Sequence, residues 1–300
     1  MIKIRYLIKR NLKLFFNDKG MFFTSLITPL ILLVLYATFL AKIYKDTILA
    51  NFPVGIIVDN RIIDGLVGGQ LMSSLLAVSC VTVSFCSNFL MVQDKSSGAI
   101  KDLRMTTVSS SQLSIGYYLA SIISTLIICF LAFAVCMIYL AFVGWYLSII
   151  DLLALVLDIF LLVLFGTSLS SCINYFLTSQ GQVSAVGSII SSGYGFICGA
   201  YMPISSFGAG LRNVISFLPG TYGTSLFRNH SMQGALSELQ SSGVPSQVIE
   251  ELKNSMDLNL YFFDNQVALP WMAVIVGIAT ILFLGLYIWM NFVKNKKNKI

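Results

Sequence analysis

A carboxylate inside an apolar run is the first feature of this sequence that could do chemistry, and Asp158 is such a residue. It follows Asp151 by seven positions, so both acids share a face if the segment is helical. A charge at that depth is costly and marks a substrate or ion pathway by default. The alternative is that Asp151 sits at an interface while Asp158 is neutral or hydrogen-bonded within a bundle. Asn88 and Asn174, also in apolar surroundings, read as helix–helix bridges, with Asn88 a further pathway candidate. Hydrolytic chemistry fails on residue types. A nucleotide phosphate cradle requires a Gly-Lys pair, and none occurs, so any ATP and Mg must be held by another polypeptide. The single histidine, His230, cannot make a His-Glu-x-x-His zinc site and leaves the hydroxyl in Gly166-Thr-Ser168 without a base. No catalytic residue, metal or bound cofactor is expected.

The elements that must position these residues belong in a membrane. Hydrophobic residues make up 57% of the chain and charged ones only 11%, with a mean hydropathy of +0.84, against roughly 25% charged in soluble domains. Long apolar stretches fall at 21–41, 66–92, 115–141, 150–176, 183–203 and 267–293, each able to cross a hydrocarbon core of roughly 30 Å. The fold class is therefore an all-α integral membrane protein of six spans. The stretch at 21–41 is too long for a cleaved signal peptide and should remain as the first span. Of the 19 Lys and Arg residues, 13 fall in the segments on the side of the termini and 6 on the opposite side. The positive-inside rule then puts both termini in the cytoplasm. The net charge of +6 sits beside the apolar runs, which suits an anionic leaflet and membrane lipid rather than nucleic acid. All six cysteines lie in or beside apolar runs, without the spacing of a disulfide framework.

Residues 1–20 form a basic amphipathic segment. Leu7, Ile8 and Leu12 share one side of a helical wheel, and Lys9, Arg10 and Lys13 occupy the other, as in a helix lying in the inner interface. The plainer reading is a topogenic flank. Residues 52–59 are apolar and β-branched but too short to span, and suggest a small external strand or cap. The external region 204–266 opens with Gly and Pro breaks that suit a re-entrant or interfacial pair of short helices. It continues into an acidic, polar portion in which Pro245 is placed to start a short helix. In the fifth span, Ser188 and Ser192 stand among several glycines, which fits a translocation wall, a dimer contact or close packing within one subunit.

Between the second and third spans, the loop 93–112 alternates charge with Ile100, Leu103 and Met105. A short helix there would show Ile100 and Leu103 on one face, with Lys101 and Arg104 beside them, as a docking ridge. Composition alone allows a solvated loop. The run Asp94, Gly98, Ile100, Leu103, Thr106 and Val108, followed by Gly116-Tyr-Tyr-Leu119, resembles the second-to-third-span signature of type-2 ABC transporter permeases. Ala99 stands where that pattern usually has Thr, and Thr107 where it has Pro. A second likeness follows the fifth span, in Gly199 and Pro203, then 211–217, then Pro219 and Tyr222.

The resemblance implies the membrane subunit of an exporter that pairs with a second permease, identical or related, and with two cytoplasmic ATPases holding ATP and Mg. It implies docking through Asp94, Gly98, Ile100, Leu103 and Arg104, and a re-entrant segment at Gly199, Pro203, Pro219 and Tyr222. Asn88, Asp158, Ser188 and Ser192 remain candidates for the translocation pathway. Drugs, antimicrobial peptides and lipid-like molecules are the substrate classes to expect, and Ile, Asn and Lys usage suggests a bacterial plasma membrane. Two other readings stay open: an ion-coupled secondary transporter with Asp158 as its coupling site, and a non-transporting scaffold or sensor.

Overall fold

A computed structural model describes residues 2–50, 52, 58–263 and 265–297. The predicted strand or cap at 52–59 falls largely outside them. Five helical stretches are long and apolar enough to cross a membrane: Lys19–Leu49, Asn60–Ser96, Ser110–Val143, Ile149–Phe176 and Leu269–Val293. Their apolar side chains face outward in large number, as lipid-facing helices require, because hydrocarbon offers apolar surface no penalty.

The chain starts with α1 (Ile2–Asn17), then turns at Asp18 into α2 (Lys19–Leu35). The Asp18 carboxylate caps α2 by accepting from the Met21 N–H at 3.1 Å. A π-helical turn, Tyr36–Leu40, joins α2 to α3 (Ala41–Ala50). The Tyr36 hydroxyl in that turn is 3.1 Å from the Ser74 hydroxyl, and its ring stacks on Tyr44.

The axis of the fold is α4 (Asn60–Ser96), about 55 Å of helix by its 37 residues. It is buried almost throughout and packs against α2, α6 (Ser110–Val143), α7 (Ile149–Phe176), α8 (Gln180–Ile197) and α10 (Pro219–Ser241). Small residues permit this crowding. A Cβ on Gly166 of α7 would sit 2.9 Å from the Cys80 carbonyl of α4, so the two backbones touch there. Hydroxyls and amides complete the seam: Ser84 meets Thr167 at 3.2 Å, and the Asn88 amide donates to Ser170 and Ser171 at 3.1 and 2.7 Å.

The short α5 (Ala99–Met105) follows α4 after Gly98, whose φ of +84° suits glycine. Ser109 and Gln112 then form a capping box that starts α6, and Ser148 and Asp151 do the same for α7. After α8 the chain breaks at Gly199, φ +75°, and passes a 3-10 turn (Ile204–Ser206) and α9 (Ala209–Ile215) into α10. The expected fifth span reached residue 203, but helix ends at Ile197, because the left-handed turn at Gly199 cannot continue an α-helix.

The region after the break differs from the expected pair of short helices. Its main element, α10, is a 23-residue helix set into the bundle against α4, α7 and α12 (Leu269–Lys297). Ser231 of α10 meets Gly69 of α4, about 40 Å along α4 from Ser96. Pro219 is twelve residues earlier, so α10 begins roughly 20 Å along the bundle from the α5 end. The α9–α10 turn thus dips to mid-bundle and returns, a re-entrant course. Pro219 is the first helical residue, where its missing N–H costs nothing. α11 (Ser246–Ser255) follows Pro245, and a small antiparallel hairpin, β1 (Leu260–Phe262) with β2 (Asn265–Val267), pairs Tyr261 with Gln266 ahead of α12. All six cysteines are free and buried.

Candidate functional site

At one end of the bundle, α1, α5 and the termini of α4, α6 and α7 converge on Asp94. This carboxylate is buried and held in a fork: Arg10 of α1 donates to Oδ2 at 2.7 Å and to Oδ1 at 3.2 Å. The Tyr117 hydroxyl of α6 donates to the same Oδ2. The hydrogen bond to Asp94 also holds the Arg10 guanidinium more firmly in its charged form. Three helices are thereby tied at one point. The next residue, Lys95, reaches the other way and donates to the carbonyls of Asn174, Tyr175 and Leu177 at 2.9, 2.9 and 3.2 Å. A cation on the last carbonyls of α7 satisfies acceptors that a helix C-terminus leaves open. Asn174 joins this contact through its backbone carbonyl, not through its amide.

The expected docking ridge is turned around. Ile100 and Leu103 are half-buried and pack with Val108 on a small apolar cluster of Leu7, Leu90, Met91, Leu113 and Tyr117. Their three-residue spacing put them on one face as predicted, but that face meets the bundle, because burying it there removes apolar surface from water. The outward face of α5 consists of Lys101, Asp102, Arg104 and Met105, the last 88% exposed. Asp94 and Gly98 position α5, while Arg104 is presented on it. Lys3 of α1 donates to the Thr107 carbonyl at 2.8 Å, so α1 is fastened to both sides of α5.

Of the four pathway candidates only Ser188 and Ser192 meet, one turn apart on α8. Asn88 is buried and spends its amide on α7. Ser188 and Ser192 lie exposed on α8, each hydroxyl donating to the carbonyl four residues before it, at 2.9 and 2.7 Å. Ser188 lines a groove of about 540 Å³ between α2, α4 and α8, with Asp18, Gln93 and Ser184 as polar neighbours and Phe89 as an apolar wall. Asp158 is buried on α7, 2.6 Å from His230 Nδ1 of α10. The lone histidine that sequence reasoning set aside is therefore the partner of the lone mid-span acid. Their separation of 72 positions hid the pair, since no local pattern joins them.

A second buried charge pair fixes the re-entrant segment. Arg228 of α10 donates to Asp257 Oδ2 at 2.9 Å and to the Gly199 carbonyl at 2.5 Å, and its side chain is 1% exposed. Asp257 also accepts the backbone N–H groups of Ile204 and Ser205 at 2.5 and 3.1 Å. Tyr222 donates to the Ser216 carbonyl at 2.6 Å and closes the turn before Pro219. Gly199, Pro219 and Tyr222 thus shape the re-entrant course, and Pro203 leads into its 3-10 turn. Arg228 and Asp257 were not singled out by the sequence, and an arginine two positions before His230 in a polar stretch carried no signal of burial.

A bundle of helices this long and apolar is that of a multi-pass membrane protein. The family profile for the ABC-2 type transporter matches residues 2–230, and the chain belongs to that family. It is a multi-pass ABC transporter permease subunit, a membrane component without its own ATPase site, and the family works with a cytoplasmic ABC ATPase. No curated protein is similar enough to add to that assignment.

Proposed function

We propose that this chain is the membrane half of an exporter in which a separate ATPase docks on the outward face of α5 and drives release of cargo. The observation that carries the reading is the Arg10–Asp94–Tyr117 junction: a push on α5 is delivered at once to α1, α4 and α6, and through Lys95 to α7. ATP and Mg would be held by the partner. The charged, Met105-tipped face of α5 suits a protein contact with a small apolar centre and a polar rim.

In this reading the chain crosses the bilayer six times, with α8 as the fifth crossing and both termini in the cytoplasm of a bacterial cell. The polar and apolar lining of the α2–α4–α8 groove suits an amphipathic drug, antimicrobial peptide or lipid-like cargo, and a second permease copy, identical or related, would close it. ATP-driven closure of the ATPase pair would shift the two membrane subunits between discrete states.

The experiment is co-expression with the ATPase encoded beside this gene, followed by purification in nanodiscs. A stable complex whose ATPase activity is lost in Met105→Glu supports the reading, and the exposed position of Met105 keeps the variant from disturbing the core. A wild-type chain that is intact yet binds no ATPase would sink it.

A further inference from the structure

A groove between α2 and α6 has no protein occupant among the described residues. Its floor is Pro29, Leu75 and Ile128, all buried, and its lips are Leu30 on α2 and Ile127, Leu131 and Val135 on α6, between 44% and 60% exposed. Every residue lining it is apolar, and it encloses about 270 Å³. It runs from Phe16 and Phe22, at the elbow between α1 and α2, up to Leu33. The eleven residue steps from Phe22 to Leu33 make about 16 Å of helix, close to one leaflet of a roughly 30 Å hydrocarbon core.

The elbow end of this groove is cationic. Lys13 precedes Phe16 by one turn on the same face of α1, and Lys19 precedes Phe22 by one turn on the same face of α2. Side chains on a helix lean toward its N-terminus, so the Lys19 stem carries its ammonium beyond the end of α2, where an apolar stem and a solvated head are both satisfied. Both lysines are exposed and neither has an ion-pair partner among the described residues. Asp18, the acid of the elbow, turns away: it caps α2 and lines the groove on the α8 side.

We propose that the α2–α6 groove is a binding site for one anionic glycerophospholipid, with an acyl chain in the groove and its phosphate at Lys13 and Lys19. The length of the groove selects a single chain from the leaflet on the α5 side, and the two cations select the headgroup. A second copy of the α1–α2 elbow would bring like charges together at the same place. The bound lipid would brace α1 against α2 and α6 without touching α5. The proposal rests on the chain spanning a bilayer and not on its ATPase, so the two stand or fall in separate experiments.

The test is native mass spectrometry of the full chain, released from detergent with palmitoyl-oleoyl phosphatidylglycerol or with the phosphatidylcholine of the same chains. One retained phosphatidylglycerol is expected, bound about 30-fold more weakly in Lys13→Gln/Lys19→Gln. Leu131→Trp and, separately, Leu30→Trp fill the groove from opposite lips and should abolish retention while the circular dichroism and elution of the chain stay unchanged. Equal retention of both lipids, or retention unaffected by removal of the lysines, would overturn the assignment. A dimer that both groove-filling variants disperse would also overturn it and give the groove to a second copy.

Discussion

Replacing Asp257 with Ala should unlock the re-entrant segment, and the size of the effect follows from what the carboxylate holds. Its side chain is 4% exposed and Arg228 only 1%, so truncation leaves a buried guanidinium with the Gly199 carbonyl as its remaining partner. Breaking a buried pair from one side costs about 3–5 kcal/mol, roughly two to four orders of magnitude in the folded-to-unfolded ratio. The N–H groups of Ile204 and Ser205 lose their acceptor as well, which adds about 1–3 kcal/mol for each that stays dry. Removing both charges behaves differently. Arg228→Met with Asp257→Asn leaves no buried ion, and Asn tolerates the left-handed φ of 54° at this position while its carbonyl still accepts an N–H. The double variant should therefore be more stable than Asp257→Ala, and the cycle of Arg228→Met, Asp257→Asn and their combination should show a coupling above about 2 kcal/mol. Denaturant unfolding of the purified chain in mild detergent, followed by tryptophan fluorescence, measures all members. A loss below about 1 kcal/mol for Asp257→Ala, or simple additivity in the double variant, would show that the pair is not what fixes the segment.

Asp94→Asn should loosen α1 while the middle of α4 holds, seen as faster amide exchange across 2–17; unchanged protection of α1 would remove the junction from the transmission route. Gly166→Leu forces side-chain atoms into the Cys80 carbonyl of α4 and should cost at least about 1–3 kcal/mol, and a wild-type melting temperature would contradict the contact. Asp158→Asn with His230→Gln keeps a hydrogen bond without charge, so ATP-driven transport in proteoliposomes should persist; its complete loss would return ion coupling through Asp158 to the front. The hydrogen bond from Lys253 lowers the Glu250 pKa below its ordinary 4.5. Its small stabilisation of α11 is present above about pH 4.5 and fades as the pH falls through the lowered value, so exchange in 246–255 should quicken there, and Lys253→Ala should weaken that dependence to the part the Asn259 hydrogen bond sustains.

Length and hydropathy determined the membrane class and five of the long helices, because a bilayer demands long apolar runs; the short α5 was legible only through the family resemblance of 94–108, since composition there equally allowed a solvated loop. The Pro245 boundary was legible because a missing N–H acts within one or two residues. Which face of α5 points outward was not legible, since Ile100 and Leu103 read as a ridge until α1, α4 and α6 supplied a surface to bury them. Nor was α10, whose polar sequence carries no apolar stripe; it is buried because Arg228 finds Asp257, His230 finds Asp158 and Ser231 finds Gly69, over separations of 29, 72 and 162 positions. Sequence fixes what a residue can bond. Only the tertiary structure decides with what, since a buried charge or hydroxyl is tolerated solely where a distant part of the chain meets it.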